Sequence, residues 1–380
     1  VLALPYVWPL ESYIAPLEQE LEAQLHQPVH IGKLSAAWSP APRLEMHGVT
    51  VGRAQEVKIG EAEINFDFSA LFSPTRSIST LKLSKVNLNG VSVIPAMGWM
   101  RAAGAMEKYP VAKVQLEEVR VASEEIKVPE LNGQAAFDAQ GNFTKAELKS
   151  GDSKLGLELE AVQKHLQLVV SFRDMALPTL PNISFKDLTA TGEILNGEIA
   201  FSDLYGHLYG GMLGGNARLN WSNGWLLQGR LVAKSLELQE LLPKQGLSGE
   251  LYGDVNFTLS GDRLSRISEA PRMEGTFEAK QVTINKMDLE TMARFGGRSD
   301  LARGRTNFDV VSGTLQADSL GQHLHQFKFS SSVMSGSGQL DVSANQQMNG
   351  KLSLELTGPH GGNATMLISG TPAEPAVKVR

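Results

Sequence analysis

The sequence predicts a mainly β protein: an elongated, curled antiparallel β-sheet, shaped as a groove, with an N-terminal amphipathic helix and a few short helices. Three observations carry this. After Pro28 the apolar residues recur with a period of two and mostly keep it to the C-terminus. Asn-Gly and related turn pairs separate the alternating runs. Glycine is abundant, 37 of 380 residues, against a usual share of ~7%, and cysteine is absent.

The elements follow in chain order. Val1 to Leu10 is apolar with two prolines, far short of the ~20 residues that span a bilayer. With no basic region before it, it does not read as a signal peptide. Trp8 and Tyr6 near its end read as the trailing edge of a transmembrane anchor lying upstream. Leu10, Ile14, Leu17, Leu21 and Leu25 then fall on one helical face, and Pro28 stops that helix. Beyond it the alternating sets are Ala62, Ile64, Phe66 and Phe68; Leu81 and Leu83; Val86 and Leu88; Leu155, Leu157 and Leu159; Leu166, Leu168, Val170 and Phe172; and Leu352, Leu354 and Leu356. Turns are expected at Asn89-Gly90, Asn132-Gly133, Gly141, Gly151-Asp152, Asn196-Gly197, Asn223-Gly224, Gly261-Asp262 and Asn349-Gly350. Short helices are expected over 95–108, 235–243 and 287–295, the last with Asp288 as its N-cap and Gly296 as its stop.

About twenty strands fit after Pro28. Laid flat at ~4.8 Å each, they would extend on the order of 100 Å. Sheets that large curl, split or close. The helices are too few to cover the apolar face, so either two sheets pack together or something else covers it. The residues expected to line a groove are Ile64, Phe66, Phe68, Leu81, Leu83, Leu155, Leu157, Leu159, Leu166, Leu168, Val170, Phe172, Leu352, Leu354 and Leu356.

Composition excludes several chemistries. Without cysteine there is no disulfide, thiolate zinc site, Fe–S cluster or Cys nucleophile. A formal charge of −6 with no basic stripe argues against nucleic acid as a partner. No nucleophile elbow, zinc-protease helix, phosphate loop or dinucleotide fingerprint occurs, so no catalytic residue and no cofactor is assigned. Gly206 to Gly215 reads as tight turns and close strand packing. His323 and His325 share a strand face without a sequence-near carboxylate, which suits a solvated edge better than a metal site. Glu117-Glu118 and Glu124-Glu125 are adjacent on strands, face opposite ways and suit a solvated face. Arg294, Arg298, Arg303 and Arg305 cluster around Gly296-Gly297 and read as a basic loop, lipid phosphate being the functional alternative.

Two stretches resemble the AsmA-like family of bacterial envelope proteins. Leu25 to Gly32, then Trp38 to Gly52 with Pro42-Arg43-Leu44, is similar to the family's opening, with Gln27 where a glycine is usual; Ser69-Ala70-Leu71-Phe72 and Leu81-Lys82-Leu83 continue it. Phe201 to Tyr205, Tyr209-Gly210-Gly211, Leu236 to Leu242, Leu247-Ser248-Gly249, Gly304 to Phe308, Gly336 to Asp341 and Ile368 to Pro375 resemble its C-terminal region in order. The resemblance divides the chain into a membrane-proximal stub and helix (1–28), an N-terminal β region (29–110), a middle β region (111–185) and a C-terminal β region (186–380). It implies an inner-membrane anchor, a periplasmic body and kinship with bridge-like lipid transfer proteins, whose β-groove carries phospholipid acyl chains toward the outer membrane. Outer-membrane or envelope proteins are further partners it allows. The alternative is an envelope scaffold or assembly factor for outer-membrane proteins whose sheet packs dry upon itself; a glycan-acting enzyme ranks third.

Overall fold

The fold is described from a computed structural model over residues 10–37, 43–65, 78–89, 111–123, 125, 127–163, 165–177, 180–295, 304–358 and 361–380. The structure is mainly β, a curled and unclosed sheet of 21 strands with an N-terminal helix and few short ones. Contacts divide it into two units, residues 1–173 and 174–380.

In the first unit a 3-10 turn, Leu10–Tyr13, runs into helix α1, Ile14–Leu25. His26 ends α1 in the left-handed conformation, two residues before Pro28. The strands are β1 (Val29–Ala37), β2 (Arg43–Val51), β3 (Val57–Asn65), β4 (Ile78–Asn89), β5 (Val111–Ala122), β6 (Leu131–Phe137), β7 (Phe143–Ser150), β8 (Leu155–Val162) and β9 (His165–Leu177). Each pairs antiparallel with its sequence neighbour except β4 and β5, which are parallel with Ile78 opposite Val111. A parallel pair needs a long crossover connection, and residues 90–110 supply that length. The helix expected over 95–108 lies outside the described residues.

The outer edge of β1 is covered by side chains of α1. Glu18 Oε1 accepts the Ile31 amide at 2.7 Å, and Glu22 Oε1 accepts the Val29 amide at 3.1 Å. Two glutamates one turn apart thus satisfy donors that an additional strand would otherwise capture.

The second unit holds β10 (Leu180–Leu195), β11 (Glu198–Leu208), β12 (Gly211–Asn220), β13 (Trp225–Glu237), helix α2 (Leu238–Leu241), β14 (Leu247–Gly261), β15 (Arg272–Ile284), helix α3 (Leu289–Phe295), β16 (Thr306–Asp318), β17 (Gly321–Ser330), β18 (Met334–Ser343), β19 (Met348–Leu356), β20 (Gly362–Gly370) and β21 (Pro375–Val379). The strands form one antiparallel meander in chain order. Asp288 caps α3 as expected, its carboxylate accepting the Thr291 amide at 2.9 Å and the Thr291 hydroxyl at 2.7 Å. Leu289 and Met292 of α3 are buried on a cluster with Phe308, Val311, Phe329, Leu352, Leu354 and Met366. The helix expected over 235–243 is shorter, because Ser235 to Glu237 complete β13.

Two expected turns are strand interior. Asn132-Gly133 lies within β6 and Asn349-Gly350 within β19. At both glycines the neighbouring strand passes so closely that a Cβ would collide: with the Leu148 Cα at Gly133, and with the Leu340 Cδ1 at Gly350. Close approach, and not a reversal of direction, selects glycine there.

Bulges bend the strands. Across the first unit the ladder omits the pairs Gly32–Gly48, Gly48–Gly60 and Gly60–Lys85 without changing register, and the register shifts between Leu116 and Val119. Gly48, Lys85 and Glu118 have φ of 65°, 58° and 52° at these points. In the second unit Ser235, Gly249 and Gln281 repeat the device on three neighbouring strands. Bulges side by side in successive strands crease a sheet along one line.

Glycine spacing predicts a measurable contrast. A Cβ on Gly275 would sit 2.6 Å from the Val255 Cα, whereas at Gly253 the nearest atom is the Thr276 carbonyl oxygen at 3.5 Å. In urea unfolding, Gly275→Ala is expected to lose about 1–3 kcal/mol, and Gly253→Ala to stay within about 1 kcal/mol of the parent.

Candidate functional site

Residues directly opposite in a sheet share a face, so the register states which side chains lie together. Across the first unit one row runs Ala36, Leu44, Ile64, Leu81, Val114, Ala135, Ala146, Leu159 and Leu168, one residue from each of β1 to β9. Next to it, Leu34, Met46, Ala62, Leu83, Leu116, Gly133, Leu148, Leu157 and Val170 form a second. No member of either row carries a polar side chain.

The second unit repeats the arrangement. Leu204, Gly215, Leu231, Val255, Gly275, Leu315, Leu324, Leu340, Gly350, Ile368 and Val377 form one unbroken row from β11 to β21. Here large residues repeatedly face glycine. Phe257 lies opposite Gly229, Phe277 opposite Gly253 and Gly313, and Phe329 opposite Gly336. A bulky side chain leaning over a residue without one fits a bent sheet that two bulky neighbours would overfill.

The sequence-read lining residues distribute as follows. Leu155, Leu159 and Leu168 are buried, while Ile64, Leu81, Leu83, Leu157, Leu166, Val170 and Phe172 are half-buried. Register joins Leu155 to Phe172, Leu157 to Val170 and Leu159 to Leu168, so two separate sequence runs become one patch. Leu352, Leu354 and Leu356 are filled positions of the cluster beneath α3. Phe66 and Phe68 lie outside the described residues, as do Glu124, Arg298, Arg303, Gly296 and Gly297. Sequence reasoning missed Phe201, Leu204, Leu213, Leu231, Val255, Phe257, Phe277, Leu315 and Leu324, all half-buried on the apolar face of the second unit. Their signal was present but interrupted: glycines in the same strands break the visible alternation.

The opposite face is charged and internally paired. Lys82 Nζ lies 2.9 Å from Glu117 Oε1, and Lys85 Nζ 2.9 Å from Glu61 Oε1. Glu147 and Glu158 face each other across β7 and β8, with Lys145 Nζ at 2.7 Å from the first and 3.6 Å from the second. Arg230 donates two hydrogen bonds to Asp254 on the next strand. His323 Nδ1 lies 2.7 Å from Asp341 Oδ1 on β18, and the His325 ring stacks nearly parallel at 6.1 Å. Asp341 was invisible to sequence spacing because only the register brings it there. Among the described residues no group of three or more His, Asp or Glu side chains is placed to hold a metal ion. His207 Nδ1 is likewise 2.8 Å from Asp187 Oδ1 on the neighbouring strand.

No family model, curated protein or solved structure matches this chain. Among the described residues no helix is long and apolar enough to cross a membrane.

Hydrogen-bonded and ion-paired carboxylates in the turns and on the polar face set an acid limit. The Asn142 amides hold Asp138 below the usual carboxylate range, the Ser150 hydroxyl does so for Asp152, and the Arg230 guanidinium for Asp254. Lys85 and Lys145 do the same for Glu61 and Glu147. A carboxylate whose folded pKa is depressed stabilises above its unfolded value near ~4, and that contribution is lost as pH falls through the folded one. Thermal melts are therefore expected to be flat from about pH 7 to 5 and to fall below about pH 4, with a shallower fall in Asp138→Asn.

Proposed function

We propose that this chain is a non-enzymatic lipid-binding and lipid-transfer module that shields phospholipid acyl chains on the apolar face of its sheet. The observation that carries the reading is the set of uninterrupted apolar rows, two in the first unit and one in the second, on sheets whose other face is charged. Many of the large side chains in them remain half-buried, so apolar surface stays available to a guest. An acyl chain lying along a row crosses the strands one by one and meets an aliphatic side chain or glycine at each step. Every buried CH₂ contributes about 0.8 kcal/mol, and equivalent neighbours on either side let the chain slide without re-entering water. The headgroup stays with solvent, and no residue has to perform chemistry.

The likeness of the opening and of the C-terminal motifs to the AsmA-like family supports a periplasmic body held at the inner membrane, with transport toward the outer membrane. A second reading, a dry envelope scaffold, draws on the parts of the face that are already closed, such as Ala135 and Met366, both 0% exposed.

Photo-crosslinking separates the two. A benzophenone side chain at Leu157 or Phe257 is expected to crosslink co-purified phospholipid, and one at Glu158 or Asn256 on the other face is not. Leu157→Glu and Phe257→Glu are expected to lower bound phospholipid at least about tenfold in native mass spectrometry, since a charge opposes burial of the chain. Lipid-free protein with no face preference supports the scaffold.

A further inference from the structure

The wet face of the second unit holds a cluster of electron-pair donors that cross-strand ion pairing does not use. Asp187 on β10, His207 on β11 and Met212 on β12 lie opposite one another in register, and Tyr205 stands two residues before His207 on the same face. The two-residue turn Tyr209-Gly210, with φ of 47° and 70°, fixes the β11–β12 hairpin just beyond them. His207 Nδ1 is 2.8 Å and 3.1 Å from the two oxygens of Asp187. A carboxylate only accepts, so Nδ1 carries the proton and the neutral ring presents a lone pair at Nε2. The Tyr205 hydroxyl lies 3.3 Å from that Nε2 and 3.6 Å from Met212 Sδ. It has a single proton for both acceptors, so a nitrogen or sulfur lone pair is left without a donor beside the phenol oxygen.

We propose that His207 and Met212, with Tyr205 beside them and Asp187 behind, form a binding site for a soft monovalent metal ion of the copper(I) class. Imidazole nitrogen and thioether sulfur are donors that copper(I) prefers, whereas calcium and magnesium take oxygens, and protein zinc sites use histidine, thiolate and carboxylate. Asp187 is a positioning residue. A carboxylate on the second ring nitrogen is the arrangement that fixes the tautomer and orientation of a metal-bound histidine. Nε2 and Sδ both approach the same hydroxyl, and the unbranched Met212 side chain has the torsional freedom to bring its sulfur onto an ion held at Nε2. Lys234, exposed on β13, lies opposite Met212, and its charge favours a monovalent ion over a divalent one. The pair of His323 and Asp341 offers the same imidazole–carboxylate contact, but its ring neighbour is His325 and not a thioether, which makes it an internal control. The site lies on the charged side of the sheet and stands apart from what occupies the apolar rows.

The absence of cysteine leaves no thiolate to compete for such an ion, so the test is direct. Silver nitrate in chloride-free buffer is the redox-inert probe, added to the full 380-residue chain with isotope-labelled methionine methyl groups. The first equivalent is expected to shift the Met212 methyl resonance, assigned by its loss in Met212→Leu. Outer-shell partners of a metal ligand are worth about ten- to hundredfold in affinity, so Asp187→Ala is expected to weaken silver binding at least about tenfold in competition with a chelator. Asp187→Asn, which still accepts from Nδ1, is expected to recover most of that loss. Met212→Leu and His207→Gln, which remove a ligand, are expected to cost at least as much as Asp187→Ala, and His323→Asn to change nothing. Copper(I), kept reduced without air in the same competition, is expected to follow silver. A Met212 methyl that does not move, affinity indifferent to Met212→Leu, or an equal loss in His323→Asn overturns the proposal. Circular dichroism checks the fold of each variant. Co-purified phospholipid, which reports on the apolar face, is expected to be unchanged in all of them, so the failure of one reading is not mistaken for the failure of the other.

Discussion

The structure depends on strand register. Side chains alternate with a period of two, so a slip of one residue on any strand would turn its leucines outward and its charges inward. The rows hold because the irregularities are shared between partners. The ladder skips Gly48 of β2 together with Gly32 on β1 and Gly60 on β3, and the register is the same on either side, with Ile31 opposite Val49 and Val49 opposite Ile59. The bulges therefore bend the sheet without moving any residue to the wrong face.

Bending has a steric consequence on the buried side. The two units meet it differently. The first fills its rows with aliphatic residues and admits a single inward glycine, Gly133, between Leu116 and Leu148. The second sets phenylalanine and leucine over glycines on the adjacent strands, and backbones approach closely enough that most of those glycines have no room for a Cβ. Gly253 is the contrasting case, a glycine of the same face where a Cβ would meet nothing closer than the Thr276 carbonyl oxygen at 3.5 Å. The second unit is also closed beneath α3, whose Leu289 and Met292 complete the cluster that holds Leu352 and Leu354. Its more open apolar surface is then the stretch around Leu231, Val255 and Phe257.

The charged face does separate work. Exposed cross-strand ion pairs add little stability individually. Lys145 between Glu147 and Glu158 relieves a like-charge contact that the register imposes, and Arg230 with Asp254 fastens β13 to β14 on the wet side. Helix α1 acts at the edge, where Glu18 and Glu22 take the outward amides of β1. An open sheet of this size needs such a stop, because an unpaired edge recruits further strands.

Local pattern was enough to predict the mainly β class from alternation, the N-terminal helix from three- and four-residue spacing, the Asp288 cap from residue type, and which side chains of β8 and of β9 share a face. These depend on nearest-neighbour periodicity, which a single strand or helix displays by itself. Residues such as Leu231 and Phe257 escaped because glycines interrupt their strands, and a glycine within a strand looks locally the same as a glycine in a turn; Asn132-Gly133 and Asn349-Gly350 were misread for that reason. Which leucine faces which glycine, that β4 and β5 run parallel, and that Asp341 reaches His323 were decided only by the tertiary structure. Each depends on which strands become neighbours and in what register, and pairing between distant segments leaves no mark on the local sequence.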